Sequence, residues 1–67
     1  MIRVRLDVVM AEQRVTGKDL AAAIGITEQN LSLLRNGKIK GVRFTTLEGI
    51  CRELGCQPGD LLIYEPD

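Results

Sequence analysis

The 67-residue sequence contains no histidine and no tryptophan, and it has one phenylalanine, one tyrosine and two cysteines. Histidine is the commonest metal ligand and the spacing of the two cysteines matches no zinc signature, so we predict neither a metal site nor a cofactor. The sequence also has no nucleophile–base arrangement and no phosphate-cradling glycine loop, and so short a chain leaves little room for a catalytic cleft. These absences predict a protein that is not an enzyme.

Long apolar segments are also absent. No apolar run approaches the roughly 20 residues that a helix needs to span a bilayer. Asp7 interrupts the apolar stretch near the N-terminus, which lacks the hydrophobic region and cleavage site of a signal peptide. We therefore expect a single cytoplasmic domain, residues 1–67, that contacts no membrane and has no evident small-molecule ligand.

The two cysteines fit a structural role better than a chemical one. Cys51 is in helical phase with Leu47, Ile50 and Leu54, which predicts a small residue of the hydrophobic core. Cys56 lies just beyond the end of the same predicted helix. A disulfide between the two cysteines is the alternative, and it is disfavoured in a reducing cytosol.

Charge is balanced over the whole chain but unevenly distributed along it. The formal net charge is zero, yet residues 27–43 carry four basic residues against Glu28 alone, and residues 44–67 carry five acidic residues against Arg52 alone. A local basic segment is typical of a nucleic-acid-binding surface even in a neutral protein. The alternative is a solvated basic loop.

Residues 16–37 carry the strongest structural signal. The first helix of this segment begins after a capping threonine, Thr16, and ends before Gly25, where a left-handed backbone is easily reached. The second helix begins near Thr27, which is another cap, and stops at Gly37. Two short capped helices joined by a glycine turn form a helix-turn-helix unit, in which the start of the second helix normally lies in the major groove of DNA. The apolar residues of this unit predicted to form the core are Leu20, Ala21, Ile24, Ile26, Leu31 and Leu34.

Shorter elements are predicted on both sides of this unit. Residues 2–5 alternate apolar and charged as a strand does, and from Leu6 the apolar spacing becomes helical. Gly49 falls inside a later predicted helix, where glycine costs about 1 kcal/mol relative to alanine. Two strands at the chain ends can pair if a helical core packs beneath them. The later segments are a loop over residues 38–43, a helix from Phe44 or Thr45 to Leu54, a short helix from Pro58 to Leu61 or Leu62, and a strand over residues 62–65.

Several short motifs share the spacing of one known family. They are Leu20-Ala21, Gly25-Ile26-Thr27, Leu31, Leu34, Asn36-Gly37-Lys38, Thr46-Leu47, Ile50-Cys51, Leu54-Gly55-Cys56 and Gly59-Asp60-Leu61-Leu62. Together they resemble the Cro/CI repressor-type (XRE) helix-turn-helix family over nearly the whole chain, and its small stand-alone members in particular. The resemblance implies an all-α, five-helix, lambda-repressor-like domain, here with a short pair of terminal strands. It also implies sequence-specific binding of double-stranded DNA, usually as a homodimer on paired half-sites.

The resemblance further implies which residues contact DNA. Many family members have a glutamine directly after the cap of the second helix, where this chain has Gly17, and this leaves Lys18 as the alternative phosphate ligand. The base-reading positions at the start of the third helix fall on Glu28, Gln29 and Leu33, with Thr27, Asn30 and Ser32 beside them. The phosphate contacts fall on Thr16, Gly17, Lys18, Asn36, Lys38, Lys40 and Arg43.

The chemistry of the reading positions suits the edges of bases. Gln29 and Asn30 can each pair bidentately with adenine, and Glu28 can accept a hydrogen bond from cytosine N4. Leu33 can contact a thymine methyl group. Without DNA, the two amides are ordinary polar surface, the carboxylate suits the positive N-terminus of the helix, and the leucine is apolar surface.

The leading interpretation is a transcriptional regulator, specifically a repressor that occludes DNA, with the helix that begins near Thr27 in the major groove. The alternative is a protein-interaction module, such as an antitoxin-like or anti-repressor component, which uses the helix-turn-helix as a scaffold. Lys38, Lys40 and Arg43 discriminate between the two, because they contact phosphates only in a DNA-binding protein.

Overall fold

The computed structural model, which describes residues 1–66, has five helices between two terminal strands. This architecture confirms the predicted five-helix fold with its strand pair. In the described part of the chain, no helix is both long and apolar enough to cross a membrane. In chain order the elements are β1 (Ile2–Val4), α1 (Leu6–Gln13), α2 (Gly17–Ile24), α3 (Glu28–Arg35), α4 (Phe44–Leu54), α5 (Pro58–Leu61) and β2 (Leu62–Tyr64).

β1 and β2 form a two-stranded antiparallel sheet that joins the two ends of the chain. Val4 pairs with Leu62, and beyond this pair Arg5 N donates to Leu61 O at 2.7 Å. Both strands are one residue shorter than predicted. A two-stranded sheet is marginal by itself, so the packing of the half-buried Val4 and Leu62 against the helical core stabilises it.

The core consists of aliphatic side chains from all five helices. Of the six residues of the helix-turn-helix unit predicted as core, four are buried, while Ile24 and Ile26 are half-buried against them. Cys51, also predicted as a core residue, is half-buried at the edge. The buried residues are Leu6, Val9, Met10, Leu20, Ala21, Leu31, Leu34, Ile50, Leu54 and Leu61.

Local hydrogen bonds define both helices of the helix-turn-helix unit. Thr16 Oγ1 accepts from Asp19 N at 3.1 Å and Thr27 Oγ1 accepts from Asn30 N at 3.0 Å, so each threonine caps its helix as predicted. Gly25 ends α2 with a φ of 76°, in the left-handed region that glycine reaches without strain. The two caps and this turn set the direction in which α3 leaves α2.

Gly49, which is unfavourable by helix propensity, is buried where α4 packs against α2. A Cβ atom added at Gly49 would be 3.2 Å from Ile24 Cγ2 and 3.3 Å from Ile24 Cβ. Because Ile24 is β-branched and stiff at χ1, it cannot easily move away. The close packing of the two helices therefore offsets the propensity cost of glycine.

A side chain from α1 closes the far end of α4. Gln13 Nε2 donates to Leu54 O at 2.6 Å, across 41 positions of sequence. The last carbonyl groups of a helix have no partner within it. This hydrogen bond therefore ties α1 to the C-terminal end of α4.

Replacing Ala21 by leucine is expected to lower the free energy of unfolding by about 1–3 kcal/mol, the usual cost of overpacking. Ala21 is 2% exposed, and α2 packs against both α3 and α4. A larger side chain must push these helices apart. Thermal melts followed by circular dichroism would measure the loss.

Ala22→Leu is the matched control, because Ala22 is the next residue of α2 and is exposed. It makes the same chemical change without entering the core, so we expect little change in the melting temperature. Equal melting temperatures for the two variants would contradict the buried position of Ala21.

Candidate nucleic-acid interface

α3 presents one apolar side to the core and one polar side to solvent. Leu31 is 1% exposed and Leu34 is 6% exposed, whereas Leu33 is 39% exposed. This arrangement follows from the helical period, because positions 31 and 34 share a face and position 33 does not. Among the other predicted reading residues, Ser32 is half-buried and the exposed ones are Thr27, Glu28, Gln29 and Asn30.

The amide side chains at the start of α3 are available to a ligand. In the described residues, neither the Gln29 nor the Asn30 side chain forms a hydrogen bond. Thr27 Oγ1 already accepts a bond from Asn30 N, which leaves its hydroxyl proton to donate and one lone pair to accept. Two unengaged amides on a rigid helix are suited to recognising paired donors and acceptors such as base edges.

A first recess separates the start of α2 from α3. It brings together Lys18, which is predicted to bind a phosphate, and Gln29, which is predicted to read a base. Its lining residues are Gly17, Lys18, Glu28, Gln29, Leu31, Ser32 and Arg35. Predicted base-reading and phosphate-binding residues therefore lie side by side here.

Arg35 is the residue of this recess that sequence reasoning missed. Its Nη1 atom lies 3.6 Å from the position that a Cβ of Gly17 would occupy, so the guanidinium group reaches from the last turn of α3 to the first residue of α2. The first amide groups of a helix have no partner within it, and this end of the helix is positive. Arg35 and Lys18 thus place two cations beside an end of α2 that already favours anions.

The signal that could have identified Arg35 is the glycine opposite it. Gly17 has no side chain, so the space beside the α2 cap is open to a side chain from another helix. Arg35, two turns along α3 from Glu28, lies on the same side of the helix and is long enough to fill the space.

The basic segment after α3, residues 38–43, is attached to the core by apolar residues. Ile39 and Val42 are half-buried and pack against the core, whereas Lys38, Lys40 and Arg43 are exposed. Lys38 N also donates to the carbonyl oxygen of residue 33 at 2.9 Å. The three charges are therefore held on a segment that is attached to the fold at several points.

A second recess lies between α3, this segment and α4. Asn30 and Leu33 line it from α3, and Arg43 and Thr46 line it from the other side. A predicted phosphate ligand and two predicted reading residues again share one depression.

The remaining predicted phosphate ligands occupy different places. Thr16 is exposed, with its side-chain oxygen engaged in the α2 cap. Asn36 is exposed and donates from Nδ2 to Ser32 Oγ at 3.4 Å. These hydrogen bonds fix the side chains but leave part of the polar surface of each open to solvent.

Positive charge dominates the surroundings of α3. Five basic side chains lie at its end or beside it, and within residues 1–66 none of them forms an ion pair. They are Lys18, Arg35, Lys38, Lys40 and Arg43. The acidic residues nearest to α3 in sequence are Glu28, at its start, and Asp19 in α2. Because cations outnumber them, the surface as a whole attracts a polyanion.

A comparison with known families agrees with this geometry. The sequence profile of the Cro/C1-type HTH DNA-binding domain matches residues 5–67. The chain belongs to this family. The family assignment confirms the resemblance inferred from the sequence motifs, and it describes a DNA-binding domain rather than an enzyme.

Two relatives cover most of the chain. It is 47% identical over 66 residues to YozG, an uncharacterized HTH-type transcriptional regulator of Bacillus subtilis (strain 168), with 98% of this chain and 79% of that protein aligned. A crystal structure of a Bacteroides fragilis protein to which DNA binding is ascribed superposes with a TM-score of 0.83 and 27% identity. That match covers 94% of this chain and all of the other, so the arrangement of the helices is shared along the domain.

Proposed function

We propose that this helix-turn-helix domain is a transcriptional repressor that reads double-stranded operator DNA with α3 in the major groove. The observation that carries the proposal is the pair of unengaged amides, Gln29 and Asn30, at the exposed start of α3, bordered by basic side chains. A helix of this width fits the major groove, and its N-terminal residues reach base edges first. The regulatory role attributed to YozG supports the assignment to transcription.

Base recognition would come from the exposed side of α3. Gln29 and Asn30 can each pair with N6 and N7 of adenine, Glu28 can accept from N4 of cytosine, and Leu33 can contact a thymine methyl group. Thr27 and Ser32 lie beside them on the same helix and have hydroxyl groups that suit several bases.

Phosphate contacts would hold α3 in register. Lys18 and Arg35 would bind one DNA strand backbone at the start of α2, together with the amides of the first helical turn. The basic segment after α3 would bind the DNA backbone on the opposite side of α3 from Lys18. The phosphate ligands proposed in full are Thr16, Gly17, Lys18, Arg35, Asn36, Lys38, Lys40 and Arg43.

Repression would follow from occlusion, because a protein bound in the major groove blocks the same stretch of DNA to other proteins. We infer a homodimer, at least on DNA, with half-sites about 10 base pairs apart, which is one turn of the double helix. Exposed apolar side chains that a second copy could cover include Phe44 and the cross-strand pair Ile2 and Tyr64. The site of action would be the cytoplasm, where bacterial operator DNA is located.

Selection from random duplex DNA tests this proposal. The protein is expected to enrich an inverted repeat, and fluorescence anisotropy is expected to show weaker binding at higher salt. Gln29→Ala is expected to cost about 1–3 kcal/mol on the best site and to relax preference at one base pair of each half-site. Gln57→Ala, at an exposed glutamine outside the proposed interface, is the control and should leave the preference unchanged.

A selection that enriches no DNA sequence would contradict the proposal. If no sequence is enriched and binding is absent or weak at low salt, the repressor proposal fails. The protein-interaction alternative then becomes the better explanation, and capture of a partner is the next experiment.

Arg35→Gln is expected to weaken binding about tenfold at 0.1 M salt, which corresponds to the loss of one phosphate contact. The loss should be similar on all DNA sequences, and the slope of log K against log salt should become shallower by about 1. Arg35→Lys should keep the slope, because it keeps the charge. Arg52→Gln changes an exposed arginine of α4 and is the control. If R35Q and R52Q bind alike, Arg35 does not contact DNA.

A further inference from the structure

The end of α4 is a turn that brings two particular side chains together. Gly55 has a φ of 61°, in the left-handed region, and Cys56 N donates to Cys51 O at 3.1 Å. This 6→1 hydrogen bond, closed just after a left-handed glycine, is characteristic of the Schellman motif at helix ends. The motif usually places two apolar side chains in contact across the turn. In this chain the residues at those two positions are both cysteines.

The two thiols are neighbours and are reachable from solvent. Both cysteines are reduced and half-buried. They line one open groove together with Phe44, Leu47 and Pro58. Burial raises the pKa of the Cys56 thiol, and the adjacent Cys51 raises it further through its charge and a side-chain hydrogen bond.

We propose that Cys51 and Cys56 form a reversible dithiol–disulfide site that is oxidised by a peroxide and closed within one chain. A disulfide needs Cα atoms about 4.4–6.8 Å apart, and the backbone hydrogen bond between the two residues holds them near each other. The site is separate from DNA recognition, so it stands or falls independently of the proposed function.

The reaction balances with one peroxide molecule. The thiolate of Cys51 attacks a peroxide oxygen and breaks the O–O bond, which gives a sulfenic acid and, from hydrogen peroxide, one water molecule. The thiol of Cys56 then displaces the hydroxyl group from that sulfur, which forms the S–S bond and releases a second water molecule. Two thiols lose two electrons, and hydrogen peroxide is reduced to water.

The order of the two cysteines follows from their surroundings. Because the thiolate is the nucleophile and the pKa of Cys56 is raised, Cys56 is the poorer first attacker. Its position across the turn makes it the resolving thiol. In a reducing cytosol the pair rests as a dithiol, and intracellular disulfides that do form are usually transient and redox-sensing.

Mass spectrometry of the full chain tests the proposal. Reduced protein, freed of reductant and treated with hydrogen peroxide, is expected to lose about 2 Da, to resist alkylation, and to recover both thiols with dithiothreitol. The product should be monomeric on a non-reducing gel. In Cys56→Ser, dimedone should trap a sulfenic acid on Cys51, and in Cys51→Ser such trapping should be at least tenfold slower.

A second measurement separates the turn from the sequence spacing. Equilibration with oxidised and reduced dithiothreitol is expected to give a disulfide-to-dithiol ratio at least tenfold higher in buffer than in 6 M guanidinium chloride, because folding holds the thiols together. An equal or lower ratio in buffer would overturn the proposal. The proposal would also be overturned if the main products of peroxide treatment were disulfides between two chains or sulfinic acids.

Discussion

Replacing Lys38, Lys40 and Arg43 together by glutamine is expected to weaken DNA binding by about 10²–10³-fold at 0.1 M salt. Each phosphate contact releases condensed counterions, so log K falls by about 0.9 per contact for every tenfold rise in salt. Glutamine removes the charge but keeps a polar side chain. The loss is expected on preferred and random sequences alike, because phosphate contacts carry no sequence information directly.

The structure gives these three charges a better position than a free loop would. Ile39 and Val42 pack against the core between them, and the segment is hydrogen-bonded to the end of α3. Charges that are already held in place lose little conformational entropy when they bind. For this reason the expected effect is close to the full counterion-release value.

Fluorescence anisotropy at 0.1 M and 0.3 M salt would measure both the affinity and the salt slope. The matched control is the triple variant Arg3→Gln, Arg14→Gln and Arg52→Gln, which removes three exposed arginines elsewhere and changes the net charge equally. We expect the slope to fall by about 3 in the first variant and by much less in the control. Equal losses in both would mean that overall charge, not this segment, attracts DNA.

Leu31→Ala is expected to lower the free energy of unfolding by about 2–5 kcal/mol. Leu31 is 1% exposed and belongs to the core where α3 packs against α2 and α1. A domain of this size has a total stability of roughly 3–10 kcal/mol. The variant should therefore lose a large share of its stability and unfold at a clearly lower urea concentration than the parent protein, because a close-packed core fills such a cavity only in part.

Leu33→Ala, two residues along the same helix, is the control. Leu33 is 39% exposed, and its truncation should change the free energy of unfolding by about 0.5 kcal/mol or less. Urea titrations followed by circular dichroism would measure both variants. Comparable losses in the two would contradict the assignment of the buried and exposed sides of α3, and with it the proposed reading surface.

Much of the fold was predictable because its signals are local. Thr16 and Thr27 cap helices through bonds to amides three residues ahead, and Gly25 provides the left-handed turn between the helices. Pro58 begins α5, as its fixed φ favours. In each case the interacting groups are close neighbours in the chain, so the pattern of residue types was enough to place the helix ends within a residue or two.

The candidate interface was predictable in its membership but not in its arrangement. The helical period alone separates the exposed Leu33 from the buried Leu31. No local pattern indicates that Arg35 reaches Gly17, because the two residues lie on different helices whose crossing brings them together. The same holds for Ile39 and Val42, whose anchoring of the basic segment depends on the core beneath it.

By itself, the sequence determined the five helices, the helix-turn-helix unit and its family, because capping, turn chemistry and helical periodicity act between residues a few positions apart. Only the tertiary structure decided why Gly49 is tolerated against Ile24, how Gln13 closes the end of α4, and which cation fills the space beside Gly17. Those contacts join residues that are 18 to 41 positions apart in the sequence. They depend on how whole helices pack, which no single stretch of the chain encodes.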